Sequence, residues 1–526
     1  MTHSLERLGS YLPAFVALAL PIVFVPPAVD SFILPRASIV IAAACIGAGV
    51  ALQVGGGPGL GRMRWPLLAA ATAALLAFVA STSWPLSLAG SYTRYESLPI
   101  RLGYLGLFAA PVWLTRSRRS REAVAPALVL GTAIASLEAV FQFFGQVPFR
   151  PDGNLGNANL LAALIAMSAP LAVARGLRGG WWSFVWWAAL FVMLGGLFVS
   201  TSRSGGVGVL AGIAALAILA PRGRALRFAA AVGGGVVGAS LVLIQLSPLR
   251  LLNDDPSSLR LHLWQNGIHM IAARPITGWG EDLTGLSFGR FLTADWSPGV
   301  TFDRLHSGPL DILATQGVIG LAALLLVMVV FGLGIWRNRF ATGVGPLAAA
   351  CVGYTAWVAF NFDWAPATGA FWLIAGTAWA CVRAAETAPS DLSVETPTAF
   401  NHQPRWWRSA AAVALGLGAI WFAALPVLGD IWYSQGRADL AVKVDPLQAR
   451  YHWSLGEAYV SQGSLAKGVA ELRLAADLGE TEPGLYVELG DRENDLGLVA
   501  DARADYRRAL EIDPFYLPAQ QRLAAP

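Results

Sequence analysis

The sequence predicts an all-α fold: a polytopic membrane helical bundle that carries a helical-repeat tail. Three observations predict it. Of 526 residues, 55% are hydrophobic and only 13% charged, whereas a soluble domain carries about 25% charged residues. Apolar runs long enough to cross a hydrocarbon core about 30 Å thick recur along the chain. Beyond residue 430 the charge density rises and a period of 34 residues sets in.

The apolar runs fall at 11–33, 37–55, 66–86, 98–115, 123–145, 159–176, 181–201, 205–221, 227–247, 308–335, 344–361, 364–382 and 409–429. About 12–13 transmembrane helices are therefore expected. The first run lacks a small-residue cleavage site and is expected to be a retained span. Basic residues alternate between the loops. Arg62 and Arg64, then Arg116, Arg118, Arg119 and Arg121, then Arg175 and Arg178, then Arg222, Arg224 and Arg227, then Arg337 and Arg339 all fall on one side. The positive-inside rule makes that side cytoplasmic. The longest loop, 248–307, and everything after residue 430 are then extracytoplasmic.

The predicted organisation is a membrane domain over 1–382, a cytoplasmic linker over 383–408, a further span at 409–429 and a repeat domain over 430–526. The linker holds Pro389, Pro397 and Pro404 among Ser and Thr, a flexible composition. In the tail, Asp445-Pro446 recurs as Asp513-Pro514, with Gly479-Glu480 midway, and Leu455-Gly456 recurs as Leu489-Gly490. This pattern resembles the tetratricopeptide repeat, a helix–turn–helix hairpin of 34 residues. The resemblance implies a surface that binds protein segments.

Net charge is only +4, and almost all basic residues are Arg, with Lys443 and Lys467 the exceptions. Nucleic acid is not among the expected partners. Cys45, Cys351 and Cys381 each lie in an apolar run without metal-ligand spacing. The dense acidic cluster Asn253-Asp254-Asp255 has the composition of a solvated turn, so no metal and no cofactor are expected.

The side opposite the basic loops holds a small set of arginines in distinctive company. Arg94 lies in Gly90-Ser91-Tyr92-Thr93-Arg94-Tyr95-Glu96, and Arg150 precedes Gly153-Asn154-Leu155-Gly156-Asn157-Ala158-Asn159. Arg203 lies in Thr201-Ser202-Arg203-Ser204-Gly205. In the long loop, Leu261, Trp264, Ile268 and Ile271 fall on one face of a helix, with His262, Gln265, Asn266 and His269 on another. Such a helix would lie along a membrane surface, the histidines forming its wetted face. For Arg260 and Arg274, interfacial anchoring competes with anion binding. Arg203 has a similar rival reading, as an interfacial residue that breaks a helical hairpin.

His306 precedes Ser307, a candidate N-cap, with Gly308-Pro309 in the first turn of an apolar helix. A helix N-terminus favours an anion, and a neutral imidazole suits proton abstraction from a hydroxyl. A capping or interfacial histidine is the competing reading. Asp311, one turn on, either orients the imidazole or lines a polar cavity.

The spacing His306-Ser307, nine residues, Gly317, two residues, Gly320 resembles the signature of the O-antigen ligases. Arg260 through Trp264 to Pro275, Gly278-Trp279-Gly280, Thr201–Gly205 and Gly156–Asn159 are similar to further landmarks of the wider O-antigen ligase and polymerase family. The resemblance implies a glycosyltransferase of the cytoplasmic (inner) membrane that moves a glycan from a polyprenyl-pyrophosphate carrier to an acceptor hydroxyl. It implies His306 as the base that deprotonates the acceptor, and Arg203, Arg260 and Arg304 as the groups that hold the pyrophosphate. Arg94, Arg150, Asn157, Asn159, Arg274 and Asp311 are the expected substrate-binding residues. Membrane lipids, a glycan, lipid or protein acceptor, and a protein partner for the tail complete the expected partners. Ser307 stands where Asn is commoner, and the extra span and tail are additions, so lipid A core, a lipid-linked repeat and a protein Ser or Thr all stay open as acceptor. A lipid-linked glycan flippase or other transporter, and a membrane-anchored scaffold, are the rival function classes.

Overall fold

The computed structural model describes residues 2–54, 59–219, 234, 238, 257–296, 301–387 and 406–525. Seven helices among them are long and apolar enough to cross a membrane: Ile33–Val54, Gly61–Val79, Arg118–Phe144, Ala158–Gly176, Gly308–Arg337, Ala365–Glu386 and Trp406–Ser434. Shorter apolar helices accompany them at Leu12–Ile22, Leu98–Leu114, Ser183–Val199, Arg203–Leu219 and Val344–Val358. The expected span at 227–247, apart from Gly234 and Gly238, lies outside the described residues, as do Arg222, Arg224, Asn253-Asp254-Asp255 and most of the linker.

Burial sorts these helices. The most apolar window of Ala365–Glu386 is 94% buried and that of Ala158–Gly176 is 83% buried, against 6% for Trp406–Ser434. The first two form the axis of the bundle, and the last is a peripheral helix. The run expected at 11–33 is shorter than predicted, ending at Ile22. Pro26 and Pro27 follow in a turn, because proline cannot continue the helical hydrogen-bond ladder. Asp30 then opens the next helix, its carboxylate accepting the Ile33 backbone N–H at 2.8 Å.

Arg36 is buried inside that next helix at 0% exposure. Its guanidinium donates to the carbonyls of Leu20 at 2.8 Å, Phe32 at 2.7 Å and Asn154 at 2.9 Å. It thereby satisfies carbonyls left open where Leu12–Ile22 ends and pins the 153–157 turn to the bundle.

The helix Gly308–Arg337 is interrupted at Gly317, which adopts φ 66° and ψ −165°. The stretch Pro275–Gly280 crosses the helix at this point. Trp279 N–H donates to Ala314 carbonyl at 2.9 Å and Gly280 N–H to Thr315 carbonyl at 3.0 Å, while Val318 N–H donates to Pro275 carbonyl at 2.8 Å. The groups freed by the break are thus paired, the condition for a broken helix at membrane depth. A Cβ on Gly317 would run into the Ile276 carbonyl.

The tail is a stack of antiparallel helical hairpins. Ala449–Ser461 pairs with Leu465–Leu478, and Pro483–Asp495 with Val499–Ile512. Both bounds of the second hairpin's helices repeat those of the first after 34 residues. Leu472, Ala475, Leu485, Tyr486, Leu489, Ala502 and Ala509 fill its core.

Candidate active site

One end of the bundle gathers the turns at 80–97, 145–157, 200–202 and 359–364 and the segments 257–296 and 301–306. At this end a cleft of about 350 Å³ is lined by Arg150, Asn159, Ser202, Arg203, Ser204, Arg260, Trp264 and Phe360, among others. Two helices begin here. Asn157 caps Ala158–Gly176 by accepting the Asn159 N–H at 2.8 Å, and Ser202 accepts the Gly205 N–H at 3.3 Å in the first turn of Arg203–Leu219. Helix N-termini carry partial positive charge, so three guanidiniums and two helix starts bias the cleft toward an anion.

The arginines are held in place by the protein. Arg150 donates to the Ser200 carbonyl at 2.8 Å and to Asn159 Oδ1 at 3.3 Å. Arg260 donates to the Phe360 carbonyl at 2.5 Å. Ser202 Oγ donates to Asn159 Oδ1 at 2.9 Å, so the first turn of one helix orients the start of the other.

His306 stands beside this cleft, at the end of an extended loop, in the left-handed region at φ 52°. Trp264 connects the two: its ring lines the cleft and its Nε1 donates to the Leu305 carbonyl at 2.8 Å. The imidazole packs edge-on against Phe362 with centroids 5.0 Å apart. Arg94 lies over Phe362 at 4.7 Å and over Trp364 at 4.1 Å, and pairs with Asp303. Burial would raise the Asp303 carboxyl, yet Arg94 and then Arg304 hold it below the ordinary carboxylate range. An ionised carboxylate therefore sits near His306.

Behind the loop is a buried ion network. Arg304, 2% exposed, pairs with Asp282, also 2% exposed. Burial opposes the Arg304 charge, but Asp282 and then Asp311 override it and raise its pKa. Arg101 bonds Glu281 at 3.0 Å and Asp363 at 2.7 Å, and Gln316 donates to Glu281 at 2.6 Å. Glu96 accepts from Tyr104 at 2.6 Å, and its burial pushes the carboxyl up to about 7 against the pull of Arg101. Asp311 accepts the Leu305 backbone N–H at 2.7 Å, so it fixes the backbone ahead of His306.

On the other side of the His306-Ser307 pair, an apolar groove of about 210 Å³ runs along the broken helix. Gly308, Pro309, Ile312, Gly320 and Leu324 line it together with Tyr104, Val358, Phe371 and Trp372, and Arg101 and Asp363 stand at its polar edge.

The structure brings Arg203, Arg260, Arg150 and Asn159 to one cleft and His306 to its margin. Arg304 is placed behind the loop in its pair with Asp282, and Asn157 is a helix cap. Arg274 donates to the Ala80 carbonyl at 3.2 Å and stacks on Trp279, away from the cleft lining. Ser307 begins the helix by backbone geometry, without a capping bond from its hydroxyl. The helix Ser257–Ala273 buries Leu263, Asn266 and Met270, so Asn266 leaves the expected wetted face and accepts the Thr293 N–H at 2.9 Å. Leu261 and Ile268 remain exposed, as a surface-lying helix requires. Sequence reasoning did not single out Ser202, Phe360, Phe362 or Glu281. The run Phe360-Asn361-Phe362-Asp363-Trp364, polar residues inside an aromatic stretch between two apolar helices, was the available signal.

Residues 188–325 match the family model described as O-antigen ligase. The matched segment contains Arg203, Arg260, Arg304, His306, Gly317 and Gly320, while Arg94, Arg150 and the tail lie outside it. The similarity supports a membrane glycan-transfer role for a multi-pass membrane protein. No curated protein matches the chain.

Proposed function

We propose that the protein transfers a glycan from a polyprenyl-pyrophosphate carrier to an acceptor hydroxyl on the outer face of the cytoplasmic membrane. The observation that carries this reading is the convergence of Arg150, Arg203 and Arg260 on one cleft, with Trp264 tying that cleft to the residue before His306.

In this mechanism the pyrophosphate lies in the arginine cleft and the first prenyl units enter the apolar groove. His306 takes the proton of the acceptor hydroxyl, and the oxygen attacks the anomeric carbon from the face opposite the phosphate. The anomeric carbon–oxygen bond to pyrophosphate breaks, its electron pair stays on the phosphate oxygen, and the configuration inverts. Arg203 and Arg260, with Arg150 behind them, stabilise the charge that grows on the leaving group. Asp303 stabilises the imidazolium that forms. Arg304, Arg94 and Asp311 hold the His306 loop in place. The tail is a tetratricopeptide-like array on the same outer side.

The test is transfer by the purified protein in lipid nanodiscs, supplied with a polyprenyl-pyrophosphate-linked glycan and candidate acceptors. Glycan-bearing acceptor and free polyprenyl pyrophosphate are the expected products, both lost in His306→Ala. Movement of intact carrier across a bilayer without transfer would instead identify a transporter.

A further inference from the structure

The 34-residue period of the tail recurs in three dimensions as a row of turns that stand on the turns around the site. At the first turn, Asp445, Leu447 and Gln448 share a pocket with Leu88, Tyr95 and Ser97. At the second, Gly479 lies against Leu86 and Ser83, and Thr481 against Gly285. At the third, Ile512 carbonyl lies against Gly289, and Glu511 pairs with Arg290 at 2.7 Å. The contact is apolar as well as polar. Phe515 of the tail packs on the loop core formed by Leu263, Met270, Trp279, Phe288 and Leu305, and Leu286 of the loop packs on that core and on the core of the tail alike.

A second connection starts from Asp430, 0% exposed at the end of the peripheral helix. Its carboxylate accepts the Asp30 N–H at 2.8 Å, Tyr92 Oη–H at 2.6 Å and Tyr451 Oη–H at 3.2 Å. Tyr92 stands two residues before Arg94, which pairs with Asp303 and stacks on Phe362, the ring against His306.

We infer that the tail is a positioning element for His306: its repeat turns and the Asp430 cluster fix the 90–96, 284–296 and 301–306 segments that set the imidazole. A core shared between the tail and the loop that ends in His306 makes the loop's conformation depend on the tail being seated. The contact falls on Leu263, Met270, Trp279, Phe288 and Leu305, outside the lining of the arginine cleft, so its effect is expected on the imidazole rather than on donor binding. This inference rests on the transfer reading for its kinetic arm, and its second arm is independent of it.

The test uses the full chain in nanodiscs and the variants Asp430→Ala, Asp430→Asn and Gly289→Val. A side chain at 289 would meet the Ile512 carbonyl and unseat the third turn. Asp430→Ala and Gly289→Val are expected to lower kcat on the order of 10²-fold, the cost of displacing a reacting group by about 1 Å, with donor KM unchanged. Asp430→Asn keeps one acceptor oxygen, enough for Tyr92 and Tyr451 but not also for the Asp30 N–H, and is expected to restore part of the rate. Backbone hydrogen exchange is expected to rise over 90–96 and 301–306 in the two disruptive variants. Unchanged exchange there, or unchanged kcat with exchange raised in the tail alone, overturns the inference. If the unaltered chain transfers no glycan, the function proposal fails, and the exchange arm still decides whether the tail positions the loop.

Discussion

Trp264 Nε1 donates a 2.8 Å hydrogen bond to the carbonyl of Leu305, the residue before His306. One face of the indole lines the arginine cleft while its N–H fixes the loop that presents the imidazole. An anion site and a base are thereby held at a set separation by one rigid side chain. Trp264→Phe keeps an aromatic ring and removes the donor, at a net cost of about 1 kcal/mol for a typical hydrogen bond. Steady-state assays are expected to show kcat reduced about fivefold to tenfold and donor KM little changed. An unaltered kcat would show that the loop is fixed by other contacts.

Removal of the base itself is more severe. His306→Ala is expected to reduce transfer by about 10²–10⁴-fold, the usual contribution of general acid–base catalysis. Folding is expected to be preserved, because the side chain is only partly buried and its backbone is set by Asp311 and Trp264. Thermal unfolding of the variant in detergent checks this directly.

Arg203→Lys keeps the charge and loses the planar fork that grips two phosphate oxygens. Transfer is expected to fall about tenfold to a hundredfold. Arg274→Lys, remote from the cleft lining, is expected to leave transfer near the unaltered level. Equal losses in both would separate the pyrophosphate site from the cleft described here.

Gly317→Ala places a Cβ at φ 66° and ψ −165°, where it meets the Ile276 carbonyl. The expected loss of stability is about 1–3 kcal/mol, the cost of holding a side chain in a sparsely populated region. Lower Tm and faster proteolysis over 275–320 are the readouts. A variant as stable as the parent would contradict the close crossing of Pro275–Gly280 at this point.

Glu96 supplies a pH dependence. Its carboxyl is raised from 4.5 to about 7 in the folded chain, so the folded state binds more protons than the unfolded state across that window. Stability is then expected to fall as pH rises from about 4.5 to about 7. Glu96→Gln removes the titration, and its Tm is expected to be flatter over the same range.

Much of the site was legible because polar residues among apolar spans are costly and therefore informative. Arg203, Arg260, Arg150 and Asn159 stood out in that way, and the structure brings them together. Arg304 stood out equally but is committed to Asp282, a partner 22 residues away that only the folded loop supplies. Arg36, between two apolar runs, gave no sign of its use, since its partners are backbone carbonyls, and every residue has one.

The sequence by itself determined the membrane bundle, most of its helix order, the 34-residue hairpin period and the identity of the chemically capable residues. Each depends on local quantities: hydrophobic run length, turn-forming residues and spacing along the chain. Tertiary structure decided the remainder. It split the helix at Gly317 with a crossing segment, turned Asn266 inward, and divided the arginines between a cleft and a buried ion network. It also seated the repeat turns on the site loops through Gly289, Leu286 and Asp430. These outcomes depend on which distant groups satisfy one another's hydrogen bonds and charges once buried, and no local pattern encodes that choice.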